Sequence, residues 1–492
     1  MGYKIGIDVG GTFTDTVLIQ NNEVIKKGKV LTDPKNILNT VLEAFDFLEI
    51  PPSMPLDHIT VSTTLVTNAI LLNKLSKVNL ILFPGSGVRL SSFNWPVKYS
   101  VLSGELDYRG REVLPPDKRE WKELTQRLSS HSENPLVAIV SKFSHRNNIF
   151  ETELKAYLEN EIPNVHIALG SEWGKSNFYR RSLTTYLNLA CTELFSNFRC
   201  NLKKAVISRG FNGPIRILKA DGGVFPLERI RPVESIYSGP AASILGALAQ
   251  SEPEESFIVV DIGGTTTDIG LVLGGSPLLS FKGAQIDNFL THIRSLATRS
   301  ITVGGDSTII NRNGEIIISN YRTGPAYCMG GNSPTPTDAM RYLNYIKIGS
   351  YQKAEEALAE LLPENERQAL TIRTLAESII EQMVEKIILA IKQLLTEWKN
   401  EPAYKVWEVL HQNLDYKFNI YLSGGPAAGL AKTFENKMKT RAIISNWAPI
   451  SNAVGAAMAK PTFSWTLNLD TSLAKYRIEE TGEQGAWKGA KR

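Results

Sequence analysis

Apolar residues along this chain recur at two spacings, and the two spacings alternate. Short continuous runs rich in Ile, Val and Leu predict β-strands, and they lie at 59–62, 78–83, 136–141, 165–169 and 215–220. Apolar residues three and four positions apart predict helices, at 35–48, 64–75, 117–130 and 150–161, with longer ones at 181–208 and 369–398. This alternation is typical of an α/β fold. Region 300–345, rich in Gly, Pro and Asn, predicts loops with short strands.

One strand motif is written twice. The chain begins MGYKIGIDVGGTFTDTVLI, and residues 256–273 read SFIVVDIGGTTTDIGLVL. Aligning Asp8 with Asp261 also aligns two glycines and two threonines. Each copy predicts a β-hairpin whose tip carries backbone amides that no side chain shields.

Two further pairs of segments follow in the same order. IRILKADGGVFPLE at 215–228 resembles NIYLSGGPAAGLAK at 419–432, and YSGPAASILGALA at 237–249 resembles ISNAVGAAMAKP at 450–461. Three ordered pairs, about half a chain apart, predict a duplicated domain rather than short repeats. We place the boundary near QSEPEES at 250–256. The predicted units are a first half at 1–250 (an N-terminal region to about 180 and a connecting segment at 181–250), a second half at 251–460, and a poorly ordered tail at 461–492.

Composition excludes several classes of protein. A chain of 492 residues, 42% hydrophobic and 21% charged, is long enough for two globular domains. Its net charge of +4 comes from scattered side chains, so we expect no nucleic-acid partner. No apolar run is long enough to predict a membrane span, and the N-terminus reads as a strand rather than a signal peptide. Three cysteines without CxxC spacing indicate neither disulfides nor zinc. We therefore expect a cytoplasmic protein without membrane contact.

The hairpin tips carry the candidate chemistry. A Gly-Gly-Thr tip offers consecutive N–H groups and a hydroxyl to a phosphate, and glycine lets the backbone approach closely. An Asp on the strand before the tip suits Mg²⁺, because hard cations prefer carboxylate oxygen. A single hairpin of this kind is more often an ordinary turn. Two copies that face each other across a cleft could hold the phosphates of one nucleotide from both sides.

The two hairpins, the strand that ends in Gly-Gly and the two small-residue helices resemble the elements of the actin, hexokinase and Hsp70 superfamily of ATPases. Within it the chain resembles the A-type subunit of the hydantoinase/oxoprolinase family, in order over most of residues 3–345. The segments that carry the resemblance are IGIDVGGTFTDTVLI, VSTTLVTNAILL at 61–72, KADGG at 219–223, YSGPAASILGA at 237–247, VVDIGGTTTDIGLV at 259–272 and GNSPTPTDAMRYL at 331–343.

The resemblance implies an α/β fold of duplicated ribonuclease-H-like (actin-like ATPase) domains flanking a nucleotide cleft. It also implies an enzyme that uses ATP and Mg²⁺ to open a small cyclic amide, such as a hydantoin or 5-oxoproline, by phosphorylating the amide oxygen. Such an enzyme has a small-molecule substrate and a possible B-type partner subunit, and we expect a homo-oligomer.

The same resemblance assigns roles to residues of this chain. Asp8 and Asp261 are the expected catalytic and Mg²⁺-binding residues. The residues expected to bind the nucleotide are Gly10, Gly11, Thr12, Thr14, Gly263, Gly264, Thr265 and Thr266 at the phosphates, and Gly424, Gly425 and Pro426 at the adenosine. The residues expected to line the substrate are Ser62, Thr63, Thr64 and Asn68.

Two family motifs are altered in this chain. Val61 and Ser62 stand where the family usually has His before Gly-Thr-Thr. The segment NYRTGPAYCMG at 320–330 replaces the acidic ADPGPACYG and lacks its Asp. A small-molecule kinase, or a non-catalytic ATPase whose nucleotide opens and closes the cleft, therefore remains an alternative.

Several other residues are open to two interpretations. Asp15 and Asp268, on the outgoing strands of the hairpins, are explained equally well by metal binding and by hydrogen bonding within the hairpin. Cys328 is expected to be a plain buried thiol. The histidines that lack partners at ligand spacing are expected to be ordinary side chains, and they are His58, His145 and His292.

Overall fold

The computed structural model describes residues 2–33, 35–51, 54–400, 418–471 and 474–487. Its strands are β1 Tyr3–Val9, β2 Phe13–Gln20, β3 Glu23–Leu31, β4 Leu56–Thr63, β5 Val78–Phe83, β6 Tyr99–Val101, β7 Glu105–Leu106, β8 Glu112–Leu114, β9 Leu136–Ser141, β10 His166–Leu169, β11 Ile215–Leu218, β12 Val224–Pro226, β13 Phe257–Ile262, β14 Thr267–Leu273, β15 Ser276–Pro277, β16 Gln285–Ile286, β17 Phe289–Leu290, β18 Thr298–Ile301, β19 Ile309–Arg312, β20 Glu315–Ile318, β21 Asn419–Ser423, β22 Ala442–Ile444, β23 Leu467–Asp470, β24 Lys475–Ile478 and β25 Gln484–Ala486.

The α-helices are α1 Ile37–Phe47, α2 Leu65–Leu71, α3 Lys118–His131, α4 Ile149–Glu161, α5 Phe178–Ser208, α6 Ser238–Leu248, α7 Pro336–Tyr342, α8 Tyr351–Ala359, α9 Ala369–Lys399, α10 Ala427–Met438 and α11 Ser451–Met458. The strands and helices predicted from the apolar spacing are confirmed, most of them with small shifts at their ends. The helix predicted at 64–75 is shorter, because Asn73 adopts a left-handed backbone conformation with φ of 52°. None of the helices in the described ranges combines the length and apolar composition that crossing a membrane requires.

Two mixed sheets have the same strand order, which confirms the duplicated α/β fold. In the first sheet, the order β3-β2-β1-β4-β11-β12 places the antiparallel hairpin β1-β2 beside the parallel strands β4 and β11. In the second sheet, β15-β14-β13-β21-β22 places the hairpin β13-β14 beside the parallel strands β21 and β22. Each sheet thus presents one hairpin tip and two strand ends at the same edge.

The topology corrects one pairing of the sequence analysis. The strand beside β13 is β21, and the strand beside β1 is β4, so NIYLSGG corresponds to the strand that ends at Thr63. The segment that begins at 215, which was paired with it from sequence, forms β11 and corresponds to β22 instead. The prediction was wrong because an apolar strand that runs into Gly-Gly identifies a turn but not the strand's position in the sheet.

Helices α6 and α11 cross between the two sheets. Each follows the last parallel strand of its own half, β11 or β22. α11 packs on β1 and β2 of the other half, and α6 contacts β13 and β14 as well as β4. The helices meet at glycines, with Gly455 against the Ala242 carbonyl and Gly246 against Ser451. The absence of side chains there lets the two backbones touch, and so joins the two halves.

A further sheet, which is parallel and has the order β10-β9-β5-β6, is inserted in the first half, with α3 and α4 packed on it. At its edge the fully buried Arg181 donates to the carbonyl oxygens of Ser141 at 2.6 Å and Lys142 at 2.8 Å. The buried carboxylate of Glu151 accepts from the backbone N–H groups of Ser141 and Ser171, both at 2.8 Å. These charged groups fix the loops that follow β9 and β10.

The tail predicted to be poorly ordered forms a three-stranded sheet, β23-β24-β25. This sheet docks on the first half, where Glu479 pairs with Lys175 at 3.0 Å and the Arg477 guanidinium donates to the His145 carbonyl. Both tail side chains are largely buried, with 19% and 12% of their surface exposed. The prediction was wrong because the tail's charged residues find partners that lie about 300 positions earlier in the chain.

We predict that Gly455→Ala lowers the melting temperature, because the added methyl group overlaps the Ala242 carbonyl at the helix crossing. Crowding of this kind costs about 1–3 kcal/mol, whereas alanine alone favours a helix by up to about 1 kcal/mol over glycine. The control is Gly429→Ala in α10, where the new methyl group meets the flexible Met340 side chain, which can move. Equal melting temperatures for the two variants in differential scanning fluorimetry would contradict the prediction.

Candidate active site

The two hairpins end in tips of the same geometry. The Gly10 N–H donates to the Phe13 carbonyl at 3.1 Å, and the Gly263 N–H donates to the Thr266 carbonyl at 2.9 Å. Each hairpin therefore closes around two residues, which are Gly11-Thr12 and Gly264-Thr265. No heavy atom lies within 4 Å of the place that a Gly11 side chain would take, so the first tip is open to a ligand.

Four carboxylates from the two hairpins lie near one another below these tips. Asp8 faces Asp15 across the first hairpin, and Asp261 faces Asp268 across the second. Burial raises the pKa of Asp8 from its ordinary value of 3.8 to about 7, and the charges of Asp15 and Asp261 add to the rise. Burial, with Asp261 and Asp8 nearby, raises the pKa of Asp268 to about 7 as well. Acids that interact across the two halves mark the floor of a shared cleft.

Neutral donors hold the two central acids. Asp261 accepts hydrogen bonds from the Ser423 hydroxyl and from the Asn452 amide, both at 3.0 Å. The Ser62 hydroxyl and Asn452 also lower the pKa of Asp8, against the larger effect of burial. Ser62 and Ser423 are equivalent, because each lies opposite its acid on the neighbouring parallel strand. Asn452, the second residue of α11, serves both halves and was missed in the sequence analysis.

A loop at 303–307 supports the second tip and was also missed. The Gly305 N–H donates to the Gly263 carbonyl at 2.9 Å, and the Asp306 N–H donates to the Gly264 carbonyl at 2.8 Å. The Asp306 carboxylate pairs with Arg322 at 3.0 Å. A further Gly-Gly pair, in the sequence VGGDS, was the signal that could have pointed to this loop.

The glycines expected at the adenosine lie directly after β21, beside the second hairpin. Gly424 takes a left-handed conformation with φ of 88°, which favours glycine, and its N–H donates to the Ala448 carbonyl at 2.8 Å. Gly425 has open space where a side chain would lie, and Pro426 packs close to Gly305. The structure thus brings this turn to the same edge of the sheet as the tip. Thr14, just below the first tip, is fully buried and shares a hydrogen bond with Thr32 at 3.0 Å, so its side chain is enclosed.

The four residues expected at the substrate divide into two groups. Ser62 and Thr63 are buried, and both contact the Ser238 hydroxyl at the start of α6, at 3.2 and 3.1 Å. Thr64 and Asn68 are half-buried and hydrogen-bonded to each other at 3.2 Å. The first pair therefore belongs to the floor beneath Asp8, and the second lies further out. Ser238 is a third residue that the sequence analysis missed.

The residues with two interpretations have structural partners. Lys29 on β3 pairs with Asp15 at 2.5 Å, and Ser300 on β18 hydrogen-bonds Asp268, so each acid has a partner on the strand next to its hairpin. Burial raises the pKa of Cys328, so its thiol stays protonated and inert.

The three histidines are held neutral. Burial lowers the pKa of His58, and it lowers those of His145 and His292 to about 2 and about 3. A histidine that stays neutral at physiological pH in a packed setting is a structural side chain rather than a proton carrier. These lowered pKa values are consistent with the expectation that the three histidines are ordinary side chains.

The acids suit a magnesium ion shared with phosphate. In the described part of the chain, no three side chains of His, Cys, Asp or Glu are arranged to bind an ion by themselves. Mg²⁺ commonly takes one or two carboxylates and completes its shell with water and phosphate oxygens. One oxygen of the buried Asp8 carboxylate has no hydrogen-bond partner. An unsatisfied buried oxygen beside a second acid fits such an ion.

The paired sheets, the crossed helices and the two facing tips define this chain as a member of the duplicated actin-like ATPase fold class. The chain belongs to the hydantoinase/oxoprolinase family. The model of the family's N-terminal region matches residues 4–162, and the Hydantoinase/oxoprolinase model matches residues 181–464.

Relatives of known name agree with this family. The chain is 26% identical to caprolactamase subunit alpha of Pseudomonas jessenii, over 71% of this chain and 55% of the relative. It is 25% identical to the acetophenone carboxylase gamma subunit of Aromatoleum aromaticum, over 79% of this chain and 60% of the relative. The crystal structure of the ATP-dependent caprolactamase from Pseudomonas jessenii superposes with a TM-score of 0.75 at 21% identity, covering 94% of this chain and 72% of that one. The chain thus spans little more than half the length of these two curated relatives.

We predict that Asp8→Asn raises the melting temperature at pH 8 in EDTA, without nucleotide. Because folding raises the Asp8 pKa to about 7, the folded protein loses stability relative to the unfolded chain as pH rises from about 4 to about 7. A neutral amide removes that cost, so we expect a gain of about 2–5 °C at pH 8 and a much smaller gain at pH 5. The control is Asp57→Asn at an exposed position of β4. A destabilised Asp8→Asn variant at pH 8 would contradict the prediction.

Proposed function

We propose that this chain opens a small cyclic amide, such as a hydantoin, 5-oxoproline or a related lactam, at the expense of ATP. It acts either alone or as the ATP-hydrolysing subunit beside a B-type partner. The observation that carries the proposal is the meeting of two equivalent hairpin tips above acids from both halves. Family membership supports the cyclic amide as the substrate.

The chemistry begins with an amide that is too stable to react with water. Its oxygen forms a bond to the terminal phosphorus of ATP as the bond from that phosphorus to the bridging oxygen breaks, which releases ADP. Water then adds to the activated ring carbon. Cleavage of the ring C–N bond, with a proton passing to the leaving nitrogen, then leaves an acyl phosphate, and a second water displaces phosphate from it to give the ring-opened acid. Phosphoryl transfer of this kind depends chiefly on positioning and on neutralising charge.

The chain's own residues supply both requirements in this proposal. The N–H groups of the two tips, with the Thr12 and Thr265 hydroxyls, bind the phosphates, and the open backbone at Gly425 lies against the nucleoside. Asp8 and Asp261 hold Mg²⁺, which neutralises phosphate charge when bound. Asn452 keeps the two carboxylates at a fixed separation across the halves.

The cyclic amide lies on the side of Thr64 and Asn68 in this proposal. These two residues are the half-buried members of the expected substrate set, whereas Ser62 and Thr63 are occupied in the floor. The relatives favour a carbonyl oxygen as the phosphate acceptor, since one is named for a lactam and the other for a ketone. No imidazole stands at Val61-Ser62, so water activation on this chain does not use that position.

The experiment measures ADP and organic product together. Purified protein with Mg²⁺ and ATP is given 5-oxoproline, hydantoin, caprolactam, or a ketone with bicarbonate, with and without a B-type subunit. A cyclic amide that stimulates ADP release and appears as its ring-opened acid supports the proposal. A phosphorylated product that accumulates indicates a small-molecule kinase, and ATP turnover that ignores every compound indicates a non-catalytic ATPase. Light scattering on the same sample tests the expected homo-oligomer.

We predict that Asp8→Asn and Asp261→Asn each lower amide-dependent ATP turnover by at least about 100-fold, because each loses a metal-binding charge. Both side chains are enclosed and the amide keeps their shape, so the melting temperature should not fall. Asp57→Asn, at an exposed carboxylate on β4, should turn over at the wild-type rate. Wild-type turnover in either cleft variant would exclude that acid from the mechanism.

A further inference from the structure

The Arg322 side chain contacts the tips of both hairpins. One terminal nitrogen donates to the Thr12 hydroxyl at 2.5 Å and approaches the Thr265 hydroxyl at 3.4 Å. Thr12 and Thr265 are the equivalent second residues of the two tips. A single guanidinium group therefore lies between the two places that the proposed function assigns to phosphate.

The position of this guanidinium group is fixed by the second half. Its other terminal nitrogen pairs with the Asp306 carboxylate at 3.0 Å, and its Nε donates to the Gly324 carbonyl at 2.8 Å. Asp306 is itself attached to the second tip, because its N–H donates to the Gly264 carbonyl at 2.8 Å. The next residue, Thr323, is tied to Thr308 by a hydroxyl contact of 3.0 Å. Arg322 thus reaches across the cleft from a segment that is held in place by hydrogen bonds and an ion pair.

The electrostatic setting suits a group that receives an anion. Arg322 is 19% exposed, so it is sheltered yet reachable from the cleft. A nucleotide brings further negative charge to a cleft that already holds four acids, and the guanidinium group places a positive charge at the tips. Guanidinium groups bind phosphate through two parallel N–H bonds. Threonine hydroxyls are weaker partners for the same donors, so a phosphate can replace them.

The sequence strengthens this interpretation. Aligned on the shared Gly-Pro-Ala at 324–326, Arg322 stands where the family motif ADPGPACYG has its Asp. The change therefore reverses the charge at this position. The reversal places a positive charge beside the tips to which the proposed function assigns phosphate.

We infer that Arg322 binds the terminal phosphate of ATP and stabilises the charge on that group during transfer. The inference rests on the proposed function, because it requires a nucleotide between the tips. On binding, the guanidinium exchanges the Thr12 and Thr265 hydroxyls for phosphate oxygens and keeps its bond to Asp306. ADP lacks the terminal phosphate, so Arg322 makes the cleft discriminate ATP from ADP.

The test compares the affinities for ADP and for AMPPNP, a non-hydrolysable ATP analogue, by calorimetry with Mg²⁺. For Arg322→Ala we expect AMPPNP binding to weaken about 10-fold or more and ADP binding by less than about 3-fold. Turnover should fall by about 100-fold or more, with partial rescue by millimolar guanidinium. Arg322→Lys should be intermediate, because it keeps the charge but not the paired donors. Arg322→Asp should bind AMPPNP more weakly than Arg322→Ala.

The matched control is Arg209→Ala, which removes a half-buried arginine at the end of α5 from its ion pair with Asp46. It should leave the AMPPNP-to-ADP affinity ratio unchanged. An unchanged ratio in Arg322→Ala, or an equal loss for both nucleotides, would overturn the inference while leaving the proposed function in place. If Arg322→Ala does not fold, wild-type behaviour of Arg322→Lys or Arg322→Asp would overturn it equally. Wild-type protein that binds neither nucleotide would overturn both proposals.

Discussion

The crossing of α6 and α11 is the constraint on which the rest of the molecule depends. Gly246 and Gly455 let the two helices meet backbone to backbone, and each helix packs on strands of the opposite half. The crossing also sets the chemistry, because Ser238 begins α6 and Asn452 lies at the start of α11. Close packing therefore brings two polar helix ends to the floor that holds Asp8 and Asp261. A change in the crossing would move the acids of one half relative to those of the other.

The cleft floor concentrates negative charge where solvent is excluded. A buried acid ionises with difficulty, and neighbouring acids make it harder still, so Asp8 and Asp268 both hold their protons to about pH 7. The fold stabilises the charged form of the other two acids, through the Ser423 hydroxyl and the Asn452 amide at Asp261 and the Lys29 ammonium group at Asp15. Burying these acids without a ligand lowers the stability of the protein. Such a loss is characteristic of sites that are arranged to bind a ligand rather than to stabilise the fold.

The sequence predicted the layered architecture well, because strand and helix spacings are local properties. The repeated Asp and Gly-Gly-Thr also predicted both hairpins, since each motif forms its own turn. The sequence failed where the partner is distant. Asn452 in an apolar helix carries no local sign that it reaches Asp261, and the altered motif at 320–330 does not show by itself that Arg322 contacts Thr12. The docked tail was missed for the same reason.

The position of α11 in the sequence determines when the first sheet is covered as the chain is synthesised. Gly6 in β1 lies against Ala453 and Ala457, and the His58 ring contacts the Ala457 carbonyl at 3.4 Å across 399 positions. A ribosome that has released the whole first half has therefore produced a sheet with one apolar face, around Val17 and Ile19, still bare. That face stays open until the helix Ser451–Met458 emerges. Contacts this distant in sequence form slowly and leave the nascent chain prone to aggregate, so its yield in a cell depends on what shields that face in the meantime.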